Sequence, residues 1–99
     1  MKLKWYQYVA IFFAGMLLVN AVPHFMNGVS GQPFPTPFAN PPGKGMSSAT
    51  LNVIWGFANM LTGVLLLRIS KFTSKNNLGL ILFFAAILCA GVVLSSLFS

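Results

Sequence analysis

Apolar residues in this chain fall into three long blocks separated by segments of different character. Within the blocks they show neither the alternation of a half-buried strand nor the single stripe of a surface helix. Block one is Trp5–Val22, WYQYVAIFFAGMLLVNAV. As a helix it would extend ~27 Å, just enough for a hydrocarbon core of about 30 Å. Block two, SATLNVIWGFANMLTGVLLL, covers 48–67, and Ser47 or Ser48 is placed to cap it. Block three, LGLILFFAAILCAGVVLSSLF, covers 78–98 and is long enough to span with some tilt. The pattern predicts an all-α integral membrane bundle of three transmembrane helices, joined by a long loop over 23–47 and a short polar loop over 68–77. It shows no internal repeat, which excludes a duplicated transporter.

Composition agrees with that division. Of 99 residues, 57% are hydrophobic and 6% charged, whereas a soluble domain carries roughly a quarter charged residues. The six Lys and Arg residues are opposed by no Asp or Glu. Nucleic-acid binders gather basic residues on a soluble face. Here five of the six sit at the ends of apolar blocks, so a lipid bilayer is the expected partner and nucleic acid is not. Lys2, Lys4, Arg68, Lys71 and Lys75 fall on one side of a three-span chain and Lys44 on the other, predicting N-in, C-out. The 23–47 loop is then extracytoplasmic, with Trp5, Tyr6 and Tyr8 in the opposite headgroup layer. A signal peptide is the competing reading of block one, with Lys2 and Lys4 as its charged start and Val19-Asn20-Ala21 as a small-residue cleavage site. Trp5-Tyr6-Gln7-Tyr8 is a poor start for a leader's apolar core, so a retained helix is expected.

The long loop is unusual for its prolines and phenylalanines. In QPFPTPF, Pro33, Pro35 and Pro37 alternate with Phe34 and Thr36 up to Phe38, which sets the backbone to an extended course with little entropy left to lose. The expectation is a structured strap across the bundle mouth with Phe25, Phe34 and Phe38 inward, closed by a turn at Pro41-Pro42-Gly43-Lys44-Gly45. A lipid-facing cap without a partner is the plainer alternative. Gly43-Lys44-Gly45 lacks the glycine and hydroxyl spacing of a phosphate loop, and no two prolines stand three apart as in an SH3 ligand.

In block two, Asn52, Gly56, Asn59 and Gly63 share one helix face. Small residues and asparagines in lipid serve close packing and interhelical hydrogen bonds. The seam is therefore expected to pack against block one (Ala10, Ala14, Gly15), block three (Ala86, Ala90, Gly91) or another copy. By depth, Asn20, Asn52 and His24 are expected to meet in a polar pocket beneath the loop, with Asn59 lower. Unpaired polar groups are costly there, so convergence is favoured.

Without a carboxylate side chain there is no acid pair, no Ser/His/Asp triad and no hard-cation cage. Cys89, the single cysteine, has no partner for a disulfide or a zinc site and is expected as a buried small residue. No catalytic residue, metal or cofactor is expected; a composite site around His24 is the one enzymatic arrangement left open.

The runs HFMNGVSG, FPTPFANPPGKGMSS and NVIWGFAN together resemble a group of small uncharacterised bacterial multi-pass inner-membrane proteins. The match rests on His24, Phe34, Pro35, Phe38, Pro41, Pro42, Gly43, Asn52, Trp55 and Gly56 and covers about a third of the chain. It implies an address in the bacterial inner membrane and carries no mechanism. The function expected is an accessory or interaction protein that uses the outer loop (Phe34, Pro35, Pro37, Phe38, Pro41, Pro42) and the block-two seam to hold another membrane protein or its own copies. The competing expectation is an oligomeric pore or carrier lined by Asn52 and Asn59.

Overall fold

The computed structural model describes residues 2–98. It contains three helices, α1 (Trp5–Val29), α2 (Ala49–Ile69) and α3 (Asn77–Phe98), and a two-stranded antiparallel hairpin, β1 (Phe34–Pro35) with β2 (Met46–Ser47), between α1 and α2. Each helix is long and apolar enough to cross a membrane. The molecule is a rod of 44 × 23 × 21 Å.

α2 and α3 begin and end close to where the blocks predict. Ser48 caps α2, its Oγ accepting from Leu51 N at 3.2 Å. α1 differs. The expected stop at Pro23 is passed, and the helix runs on to Val29 with Pro23 inside it. Proline removes one backbone donor and ordinarily ends a helix, but membrane helices tolerate it where neighbouring groups satisfy the backbone. Here the added turns bury His24 and Gly28 against α2, a tertiary gain that offsets the donor lost at Pro23, and Asn27 Nδ2 donates to Pro23 O at 2.7 Å within the continued helix. The loop is accordingly shorter than 23–47, and it is organised as a hairpin and not as one continuous extended strap.

α1 is the hub. α2 and α3 both pack on it and make no substantial contact with each other. The α2 seam faces α1: a Cβ built on Gly56 would lie 2.8 Å from Phe25 N and 3.1 Å from Ala21 O, and one on Gly63 would lie 2.9 Å from Leu18 Cγ. Gly28 on α1 answers with its own close approach, 2.7 Å from Ala49 O. Another face of α1 takes α3, where a Cβ on Gly15 would meet Phe83 O at 2.8 Å. Of the three candidate partners for the seam, block one is the one it packs on in this structure.

Apart from Ile11 and Leu3, the buried side chains are small or polar: Ala14, Ala21, Ala86, His24, Asn52 and Asn59 among them. The large apolar ones, such as Phe13, Ile54, Phe57 and Leu88, point outward. In lipid there is no gain from hiding leucine, so close backbone packing and interhelical hydrogen bonds hold the helices together. Cys89, expected to be buried, is exposed and lines an open apolar groove between α1 and α3 with Phe12, Met16 and Val93. A thiol is apolar enough to face outward there at little cost.

This packing predicts opposite outcomes for two glycines. Gly56→Ala pushes a methyl into α1 backbone and should cost about 1–3 kcal/mol. Gly91→Ala meets nothing within 4 Å and should be neutral or stabilise by up to about 1 kcal/mol through helix propensity. Unfolding of the two variants in a mixed-detergent titration checks the difference; equal effects would contradict the packing.

Candidate functional site

The polar groups collect where α1, the hairpin and the start of α2 meet. Asn52 is the centre and has no exposed surface. Its Nδ2 donates to Phe34 O on β1 at 3.1 Å, to Ser47 O on β2 at 3.1 Å and to Ser48 O at 3.0 Å. Two amide hydrogens are thus shared among three carbonyls, which can only accept. That fixes which way the amide points, so the Oδ1 faces His24. His24 Nδ1 lies 2.7 Å from that oxygen and must donate a hydrogen to it, since an amide oxygen only accepts.

The hairpin depends on this arrangement. Two residues per strand cannot hold a hairpin unaided, and Pro35 has no N–H to contribute to the ladder. Asn52 binds one carbonyl from each strand, and a buried pair of hydroxyls, Thr36 Oγ1 and Ser47 Oγ at 2.6 Å, closes the sheet beside it. Aromatic rings complete the enclosure. Phe34 packs edge-on to His24 at 5.3 Å and against Phe98 of α3 at 4.9 Å, while Phe38 meets Trp55 at 5.3 Å. Trp55 also stands edge-on to His24 at 6.5 Å, and among the described residues its Nε1 is the only buried side-chain nitrogen or oxygen without a hydrogen-bond partner.

A second polar rung lies two turns deeper. Asn20 Nδ2 donates to Asn59 Oδ1 at 3.1 Å, and Asn59 Nδ2 turns back to Trp55 O at 2.8 Å. Of the three side chains expected to meet beneath the loop, His24 and Asn52 do so, whereas Asn20 pairs instead with Asn59, the one expected to lie lower. Gly56 and Gly63 act as expected for packing. Phe34 lies inward. Phe38 is half inward, seated on Trp55 yet 53% exposed. Pro37, Pro41 and Pro42 lie in the turn region between the strands, exposed and outside the polar cluster.

Sequence reasoning missed Thr36 and Ser47, whose hydroxyls gain meaning only once the strands are paired. It also missed the ties at the opposite end, where Gln7 Nε2 donates to Ser70 O at 3.2 Å and Asn76 Nδ2 to Tyr8 OH at 3.2 Å. A signal for the longer α1 was present: Ala14, Ala21 and Gly28 recur every seven residues, straight through Pro23.

Chemically, the cluster offers one imidazole and three amides whose hydrogen-bonding capacity is largely spent within the fold. Among the described residues no three His, Cys, Asp or Glu side chains come together. Asn52→Ala should strand three carbonyls and the His24 Nδ1–H, costing about 2–4 kcal/mol and exposing the loop to protease. Asn59→Ala breaks only one interhelical bond and should cost about 0.5–1.5 kcal/mol. Limited proteolysis with a stability titration distinguishes them, and an Asn52→Ala hairpin as resistant as wild type would contradict the clamp.

Comparison of the chain with protein-family models, with curated proteins and with solved structures gives no match in any of the three.

Proposed function

We propose that the chain is a non-enzymatic accessory protein of a bacterial cytoplasmic membrane, and that its clamped hairpin holds a protein partner or a further copy of the chain. The observation that carries this reading is a loop held rigid from below by Asn52 while apolar side chains stay uncovered on it: Phe38 is 53% and Met46 60% exposed. A preorganised apolar surface loses little entropy on binding. Of the two surfaces expected to bind, the hairpin is the one left free, because Asn52, Gly56, Asn59 and Gly63 are buried against α1.

The distribution of cations supports N-in, C-out, with the hairpin outside the cytoplasm and Arg68, Lys71 and Lys75 within it. The absence of Asp and Glu side chains supports a binding role over an enzymatic one. A pore or carrier lined by Asn52 and Asn59 requires those amides to face a path between copies. Their amides bond within the α1–α2–hairpin unit instead, which favours the interaction reading.

A photo-crosslinking side chain at Phe38, and a control at Leu88 on the outer side of α3, test this in intact membranes. The expected result is a discrete protein adduct from position 38 and none from 88. Lipid adducts alone from both positions would overturn the reading. Impermeant amine labelling of spheroplasts should modify Lys44 and spare Lys71; the reverse pattern would invert the orientation.

A further inference from the structure

Two helices of this chain end in the same backbone device. After α1, Gly31 N donates to Gly28 O at 3.0 Å and Gln32 N to Asn27 O at 2.8 Å, with Gly31 in the left-handed region at φ +75°. After α2, Lys71 N donates to Arg68 O at 3.1 Å and Phe72 N to Leu67 O at 3.1 Å, with Lys71 at φ +59°. Glycine takes this position without steric cost, and a residue with a Cβ does not. The first site has the glycine. The second has a lysine held in a conformation that disfavours it, which directs attention to what its side chain reaches.

Lys71 lines a cleft of about 180 Å³ with Leu3, Thr73, Lys75 and Asn76. Leu3 is buried beside it, and Asn76 shapes the wall while engaged with Tyr8 OH and with Gly79 N at 2.9 Å. Thr73 Oγ1 accepts from Lys75 N at 2.9 Å and keeps its own hydrogen to donate. α3 starts at Asn77, so the positive end of its dipole is turned toward the cleft. No Asp or Glu exists in the sequence to neutralise the two ammonium groups. The cleft lies at the end of the bundle where α1 begins, and Trp5 and Tyr6 at that end are 76% and 53% exposed, as befits side chains of the headgroup layer.

We propose that this cleft binds the phosphate of an anionic phospholipid, with Lys71 and Lys75 supplying charge and Thr73 a hydroxyl donor. The site is of a size to take a phosphate and its ester oxygens, and it lies at the same end of the bundle as Trp5 and Tyr6, side chains suited to the headgroup layer. It is distinct from the hairpin surface and stands or falls separately from it.

Native mass spectrometry of the full chain in detergent, titrated with phosphatidylglycerol or phosphatidylcholine, tests the assignment. The expected result is preferential retention of phosphatidylglycerol, weakened about tenfold by Lys71→Gly or Lys75→Gln and less than about twofold by Lys2→Gln, which removes the same charge outside the cleft. Lys71→Gly should at the same time raise the melting temperature, because glycine suits the backbone there. That pairing of higher stability with weaker lipid binding separates a ligand role from a structural one. Equal retention of the two lipids, unchanged retention in Lys71→Gly, or equal weakening by Lys2→Gln would overturn the site. Displacement of the lipid by millimolar inorganic phosphate would reassign it to a soluble anion and overturn the lipid assignment.

Discussion

A single amide, that of Asn52, decides the shape of the loop-bearing end of this molecule. One side of it grips both strands of the hairpin and the cap of α2, and the other side fixes His24 on α1. α1, both strands of the hairpin and the start of α2 are thereby joined through a group with no access to solvent. Such a node is expensive to leave incomplete, because each unmet partner pays the cost of burial. The aromatic contacts of Phe34 and Phe38 follow from it, since they form only when the hairpin lies down on the helix ends.

The rest of the bundle obeys the logic of a lipid solvent. α1 presents alanine and glycine toward both neighbours, and α2 and α3 approach it closely enough that backbone meets backbone. Bulk is placed outward. The two interhelical rungs, His24 with Asn52 and Asn20 with Asn59, add direction to a contact that small residues alone would leave free to slide. At the opposite end, Gln7 with Ser70 and Tyr8 with Asn76 tie the start of α1 to the short loop.

Much of this is legible in the sequence, and each exception has its own physical cause. The three helices follow from block length, and the α2 seam from the spacing of Asn52, Gly56, Asn59 and Gly63. The end of α1 does not follow, because Pro23 is a local signal for stopping while the reasons to continue are tertiary: Gly28 against Ala49, and His24 on Asn52. The hairpin was hidden for a different reason. Strands of two residues, one of them Pro35, have no periodicity to detect, and their stability comes from Asn52 and from the Thr36–Ser47 hydroxyl pair. Cys89 was placed inward on a soluble protein's expectation, which lipid does not enforce.

The central claim, that the Asn52 amide faces its nitrogen to the hairpin and its oxygen to the imidazole, has a direct spectroscopic reporter. The chain has one histidine, so ¹⁵N solid-state NMR of ring-labelled protein in lipid bilayers at neutral pH reads His24 alone. The account predicts a ring protonated at Nδ1. A ring protonated at Nε2 alone would mean that the amide points the other way, and the clamp on the hairpin would not exist as described.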